Sequence, residues 1–293
     1  MSEELPDTEL PNPRSGDLDL LATGALVELL VDEQHRAVDA VAAQAAAIAA
    51  VVDAIVERLE RGGSLHYAGA GTSGRIATLD AAEMPPTFGT HVSLVRAHVA
   101  GGPDALLHAV EGAEDDAPAG AAAMDGVGAS DAVIGLSASG GARFVIAAVE
   151  RARELGAFTA AIVNSARSPL ALAAQAAVVL ETGPEPLTGS TRLKAGTAQK
   201  IALNAISTAV MVRLGKVHGH LMVDVVATNQ KLRARALRLV CTITGTSAEE
   251  ARALLEAAAG RVKVAVVMQR RGVDAERAIA LLEGVRGSLR QLL

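Results

Sequence analysis

Five short segments of this sequence combine residue types and spacings that could bind an anion or move a proton. Gly69-Ala-Gly-Thr-Ser-Gly-Arg75 puts two hydroxyls among three glycines. Glycine lets backbone amides approach an anion, so the turn at Gly71 with the Thr72 and Ser73 hydroxyls could hold phosphate oxygens. Ser137-Ala-Ser-Gly140 is a second small-residue turn, bringing the hydroxyls of Ser137 and Ser139. Glu83 lies directly before Met84-Pro85-Pro86, where a helix is expected to stop and the backbone to be stiff. Glu111-Gly-Ala-Glu-Asp-Asp116 holds four carboxylates in six residues, Glu114 among them. Such runs are ordinarily solvated, and no His or Cys stands at ligand spacing, so a metal is rejected. Lastly, Glu185 lies in a Pro-stiffened turn, and Ser190, Thr191, Arg192 and Lys194 crowd donors and cations onto one helix start. The helix dipole is already positive there, and an anionic ligand would relieve the conflict.

The elements that must position these groups follow a strand-then-helix rhythm. Residues 1–20 contain three prolines and read as an extended arm. A helical pattern runs from about Leu21 to Leu59, with Val41, Ala45, Ile48, Val52, Ile55 and Leu59 on one stripe. Strands are expected at Ser64–Ala68, His91–Val95, Ala132–Leu136, Phe158–Val163 and Ala177–Glu181, with a helix over Ala142–Leu155 closed by Gly156. Strands separated by helical segments imply an α/β fold, a parallel sheet with helices on both faces. A long helix is expected from Ser190, capped by Ser190 or Thr191, to about Gly215. Ser247-Ala-Glu-Glu250 fits a capping box that opens a small C-terminal helical domain. The expected division is an arm over 1–20, an α/β domain over 21–240 that carries the anion-binding turns and a helical domain over 241–293.

Composition excludes several classes. The chain has 293 residues, half of them hydrophobic, with a net charge of −6, three Phe, one Tyr and no Trp. Global disorder is excluded, and a lone Cys241 rules out disulfides and CxxC chemistry. The acidic balance and the lack of rings argue against a nucleic-acid partner. The most apolar stretch, Ala40–Val52, is too short to span a bilayer. No secretion signal is evident at the N-terminus, so a cytoplasmic location without a membrane partner is expected.

The ordered series of motifs resembles the N-acetylmuramic acid 6-phosphate etherase family. The likeness rests on residues 69–75, on Leu79-Asp-Ala-Ala-Glu-Met-Pro-Pro-Thr-Phe-Gly89, on Ala100-Gly-Gly102 and on residues 111–116. It continues through Leu187–Lys200, Arg213-Leu-Gly-Lys216, Leu221-Met-Val-Asp224 and Thr228-Asn229, and so covers nearly the whole chain. The resemblance implies a sugar-isomerase (SIS) domain, a three-layer α/β/α sandwich, followed by a small helical domain. It implies a homodimer whose active site is shared between subunits, a phosphorylated amino-sugar substrate, and no cofactor. The expected reaction splits the lactyl ether to N-acetylglucosamine 6-phosphate and D-lactate by elimination and then hydration.

The family's two catalytic carboxylates carry over to Glu83 and Glu114. The expected substrate-binding set is Gly71, Thr72, Ser73, Ser137, Ser139, Glu185, Ser190, Thr191, Arg192 and Lys194. The chain departs from the family at Gly141-Ala-Arg143, where Arg-Thr-Pro is usual, at His218-Gly-His220, and at Pro11. Neither His218 nor His220 is assigned to the site. Two rival readings share the fold: a sugar-phosphate isomerase, and a non-catalytic sugar-phosphate sensor. Release of lactate separates the etherase from both.

Overall fold

Where the sequence carries one helical pattern from Leu21 to Leu59, the chain folds into three helices. They are α1 (Thr23–Asp32), α2 (His35–Ala43) and α3 (Ala45–Glu60). The breaks fall at Glu33–Gln34 and at Gln44, and the first is held by side-chain bonds. Thr197 Oγ1 donates to Gln34 Oε1 at 2.8 Å, and Lys194 Nζ reaches Glu33 Oε2 at 2.5 Å. The apolar stripe survives in pieces: Val41, Ile48, Val52, Ile55 and Leu59 are buried, whereas Ala45, beside the second break, is exposed. The stripe therefore serves this chain's own core, since α3 lies against the sheet.

The computed structural model describes residues 6–224 and 230–293. The chain divides into one unit of Met1–Ala81 with Ser93–Ser207 and another of Ala82–Val92 with Thr208–Leu293. The first unit holds β1 (Leu65–Gly69), β2 (Val95–Val99), β3 (Ala132–Ser137), β4 (Phe158–Val163) and β5 (Ala176–Val179). They form one parallel five-stranded sheet in the order β2-β1-β3-β4-β5. Between them run α4 (Gly71–Phe88), α5 (Ala117–Ala122), α6 (Arg143–Glu154) and α7 (Pro169–Ala173), and α8 (Lys194–Arg213) follows.

Successive strand residues face opposite sides of a sheet, so registered neighbours share a face. Ala68, Gly135 and Ala161 stand in register and face α6, where Val145 and Val149 pack. Gly135 leaves room for that helix: a Cβ there would stand 2.7 Å from Val149. On the other face Tyr67 registers with Ile134 and donates to Asp80 of α4 at 2.9 Å. Asp80 also accepts from Asn204 and Ser207 of α8, so α4 and α8 share the Tyr67 side. The result is the three-layer α/β/α arrangement.

Three expectations need correction. The second strand lies at Val95–Val99, four residues beyond the expected His91–Val95. Both stretches alternate, and pairing of Leu65 with Val95 decides between them. Helix α4 does not stop at Met84 but continues through Pro85 and Pro86 to Phe88. Each proline lacks a donor yet keeps its carbonyl, and Gly89 N–H donates to Pro85 O at 3.0 Å. The expected helix at Ser190 begins instead at Lys194.

The second unit also starts well before the boundary expected near residue 240. It contains the short strands β6 (Val217–His218) and β7 (Leu221–Met222), then α9 (Gln230–Thr244), α10 (Ala248–Ala257), α11 (Val262–Arg271) and α12 (Ala275–Gly284). Ala236, Leu239 and Val240 of α9 belong to the same core as Val264, Val266 and Val267 of α11, which is why the division comes earlier. The capping box is formed, with Ser247 Oγ accepting from Glu250 N–H and Glu250 bonded to Ser247 N–H. Lys263 is buried and donates to Gly215 O at 2.8 Å and Asp224 Oδ2 at 2.6 Å. Thr228 and Asn229, part of the family likeness, lie outside the described residues. No single helix among the described residues is long and apolar enough to cross a membrane.

The Glu33–Lys194 pair is a stability element with a testable sign. Both side chains are at most 1 % exposed, and Asn12 and Arg14 also donate to Glu33. Burial raises the Glu33 carboxyl, but bonds from Lys194 and Asn12 with the charges of Lys194 and Arg14 outweigh it, leaving its pKa below the ordinary value. A depressed carboxylate stabilises the fold above its unfolded pKa and loses that contribution as pH falls through the folded one. Glu33→Gln should therefore cost about 3–5 kcal/mol at neutral pH, because a buried ammonium loses its partner. Urea unfolding followed against pH should show parent and variant converging below about pH 4.5, where the unfolded carboxyl titrates.

Candidate active site

The carboxyl ends of β1, β3 and β4 converge on one edge of the first unit, as expected for ligand loops in an open parallel sheet. After β1 the chain turns at Gly71, with φ at +53°, directly into the first turn of α4. The turn is drawn tight: a Cβ on Gly69 would stand 2.7 Å from the Gly74 nitrogen. The first amides of α4 have no partner within the helix and make an anion-binding end. The start of α8 packs on this turn, since a Cβ on Gly196 would be 3.3 Å from the Thr72 methyl. Residues 71–73 and 190–196 are therefore neighbours.

The β3 turn is organised differently. Ser137 Oγ accepts from Gly140 N–H at 3.1 Å, and Ser139 Oγ accepts from Gly141 N–H at 3.3 Å. These bonds occupy hydroxyl oxygens and leave both hydroxyl protons for a ligand. Gly140 has φ at +70°, and a Cβ there would collide with Ser168 Oγ at 2.2 Å, so the turn requires glycine. Asn164, at the end of β4, donates its N–H to Ala138 O at 2.9 Å and ties this turn to the next strand.

Glu114 is exposed on the 101–116 connection after β2. It borders a pocket of about 190 Å³ with Gly71, Arg75, His108 and Glu111. Arg75 fixes the far wall: its Nε donates to Leu106 O at 3.1 Å and its guanidinium reaches His108 O at 3.4 Å. Of the neighbouring acids, Asp116 is spent on structure, capping α5 by accepting from Ala119 N–H. A larger pocket of about 710 Å³ lies across the 110–113 segment, bordered by His98, Glu111, Asp116 and Phe144. His98 is stacked on His66, with His66 Nδ1 2.9 Å from His98 Nε2. Burial and the neighbouring His98 pull the His66 pKa down to about 4.

Glu83 is exposed on α4, in the stretch that belongs to the second unit, next to the buried Met84. Arg192 is also exposed, and Ser190 and Thr191 are half-buried. Glu185 and Lys194 are turned inward, contrary to the expectation that they face a ligand. Glu185 takes the N-terminal capping role expected of Ser190 or Thr191. Its Oε1 accepts from Ala195 N–H at 2.8 Å and its Oε2 from Lys194 N–H at 3.2 Å. The conflict of cations with a helix dipole is thus relieved from inside the protein, by Glu185 and Glu33. Burial nevertheless leaves the Glu185 carboxyl above its ordinary pKa, against those backbone bonds and the Lys194 charge. Sequence reasoning also passed over Arg75, Gln199 and Asn164. Arg75 and Gln199 stand inside segments singled out above, residues 69–75 and 187–200, whereas nothing local marks Asn164. Among the described residues no group of three or more His, Cys, Asp or Glu side chains is placed to hold a metal ion.

Comparison with known proteins places this arrangement. Residues 47–153 match the glucokinase regulatory protein N-terminal SIS domain, and residues 110–209 match the SIS domain. A phosphoheptose isomerase from Francisella tularensis shares the fold at a TM-score of 0.51 and 17 % identity, covering 66 % of this chain and all of that one. A phosphosugar isomerase from Bacteroides fragilis aligns at 0.50 and 21 %, covering 64 % and 91 %. Far nearer in sequence is the N-acetylmuramic acid 6-phosphate etherase of Cutibacterium acnes, 49 % identical over 98 % of this chain and 95 % of its own length. That of Geobacillus thermodenitrificans is 47 % identical, covering 98 % of both chains. Identity at this level along the whole chain establishes that it belongs to the N-acetylmuramic acid 6-phosphate etherase family.

Proposed function

We propose that this protein cleaves the lactyl ether of N-acetylmuramic acid 6-phosphate, giving N-acetylglucosamine 6-phosphate and D-lactate, in the recycling of cell-wall amino sugars. The near full-length likeness to the etherases carries the reading. An alkyl ether resists hydrolysis, but in the open-chain sugar the ether oxygen is β to an aldehyde, which acidifies the C2 proton. A carboxylate removes that proton, and the freed electron pair becomes the C2–C3 double bond. The C3–O bond breaks as lactate departs with its bonding electrons and takes up a proton. Water then adds at C3 of the conjugated aldehyde and a proton returns to C2. No electron is gained or lost, and no cofactor is called for.

In this scheme Glu114 removes the C2 proton and later activates water, and Glu83 protonates the departing lactate oxygen. Gly71, Thr72, Ser73, Ser137, Ser139, Ser190, Thr191 and Arg192 hold the phosphorylated sugar. A second copy of the chain completes the site. Two observations support that: the pocket at Glu114 measures about 190 Å³, below the roughly 300–1,000 Å³ usual for small-molecule sites. In addition, α1 buries no side chain in this chain, with Val27 and Val31 more than half exposed. The substrate is a phosphorylated metabolite, which fits a cytoplasmic enzyme.

Three measurements test the reading. In ¹⁸O-labelled water the amino sugar should acquire the label at C3 while D-lactate stays unlabelled; label found only in lactate overturns cleavage at C3–O. Glu83→Gln and Glu114→Gln should each lower turnover by at least about a hundredfold with little change in substrate affinity. Glu114→Gln should also abolish exchange of the C2 proton with deuterated solvent, which Glu83→Gln retains. Specific activity should fall as the protein is diluted to monomer; full activity in a demonstrated monomer overturns the shared site.

A further inference from the structure

We infer that Gln199 and Asn164 are positioning residues that lock the Ser73 hydroxyl as a hydrogen-bond acceptor toward the bound sugar, an inference that rests on the reading above. The argument starts from a group whose polarity is fixed. The Leu180 carbonyl can only accept, so the Asn164 side-chain atom 2.9 Å from it is the amide nitrogen. Asn164 Oδ1 then faces Gln199 at 3.2 Å, and Gln199 must answer with Nε2. That turns Gln199 Oε1 toward Ser73 at 2.7 Å, and an amide oxygen cannot donate. Ser73 is therefore the donor of that bond.

The Thr182 hydroxyl, 3.2 Å from Asn164 Nδ2, can serve in either sense and does not disturb the order. The three side chains are 8 %, 0 % and 1 % exposed for Ser73, Gln199 and Asn164. Turning any one of them over would set two acceptors or two donors against each other in the interior.

A serine has one hydroxyl proton, and Gln199 holds it. What Ser73 can offer a ligand is its oxygen, which accepts from a sugar hydroxyl but has nothing to give a phosphate dianion. Ser137 and Ser139 differ from Ser73 in keeping their protons for a ligand, because in the turn each only accepts, from a backbone amide. The two turns thus read different ends of one molecule. Asn164 couples them, since its backbone N–H bonds to Ala138 O while its side chain begins the relay to Ser73.

The test compares inorganic phosphate, as a competitive inhibitor, with N-acetylmuramic acid 6-phosphate as substrate. Ser73→Ala should lower kcat/KM about tenfold while the phosphate inhibition constant moves less than about twofold. Equal weakening of both, or an unchanged kcat/KM, overturns the inference. Gln199→Met should cost a similar factor alone and almost nothing in the Ser73→Ala background, because Gln199 acts through Ser73; a fully additive double variant overturns it. Should Gln199→Met fail to fold, Gln199→Glu serves. Its neutral carboxyl can accept from Ser73 and donate to Asn164, so its kcat/KM relative to the parent should climb as pH falls, and a flat ratio overturns the relay. Failure of the functional reading would look different, as a parent that releases no D-lactate. Calorimetry with N-acetylglucosamine 6-phosphate and with inorganic phosphate on the same variants then still decides the polarity of Ser73.

Discussion

The start of α8 brings the positive end of a helix dipole and the Lys194 ammonium into the interior of the larger unit, where neither can reach water. Each cation or bare amide there must find an anion. Glu185 closes the amides and Glu33 closes the ammonium. That requirement propagates outward. Glu33 meets Lys194 at the break between the first two N-terminal helices. Asn12 and Arg14 then draw the arm onto the same carboxylate, with Asn12 also bonding Pro184 O. The arm, the first helical break and the turn before α8 are fastened at one buried point, and the residues expected to hold the substrate flank it.

Placing α8 in turn sets the ligand loops. Gly196 lies against Thr72, and Gln199, on the next turn of the helix, accepts a hydrogen bond from the Ser73 hydroxyl. One helix thus fixes the backbone of the β1 turn and the polarity of its serine. The β3 turn is held separately, by Asn164 and by its own Ser–amide bonds. The Glu114 connection is less firmly tied, through Arg75 to two carbonyls and through the Asp116 cap.

Much of this is legible in the sequence alone. Four of the five strands, α6 and the capping box follow from periodicity and local turn chemistry, because those signals are contained within a few residues. What escaped detection depends on partners distant in sequence. The strand at Val95–Val99 was displaced because two alternating stretches lie end to end and only β1 chooses between them. Nothing in the helical pattern from Leu21 to Leu59 marks the break at Glu33, since its partner Lys194 is 161 positions away. The same distance concealed the inward fate of Lys194: a cation at a helix start reads as ligand-binding until a buried carboxylate is found for it. Gln199 is a further case: it lies within the Leu187–Lys200 stretch, but its partners Ser73 and Asn164 are 126 and 35 positions away. The acidic runs show the opposite limit, for their residue types were noticed, while only the fold separates a cap such as Asp116 from a candidate base such as Glu114.

Tyr67 gives the sheet a built-in optical probe. The chain has no Trp and a single Tyr, so its near-ultraviolet absorbance and emission come almost wholly from one ring. That ring is fully buried in β1, and its hydroxyl donates to Asp80 between α4 and α8. Burial and the Asp80 carboxylate hold the phenol well above its ordinary pKa, so it stays un-ionised in alkali that would convert an exposed tyrosine. Spectroscopy of the unlabelled protein therefore reports on the joint where sheet and two helices meet. Departures from two-state unfolding in the C-terminal helices would pass unseen by that signal.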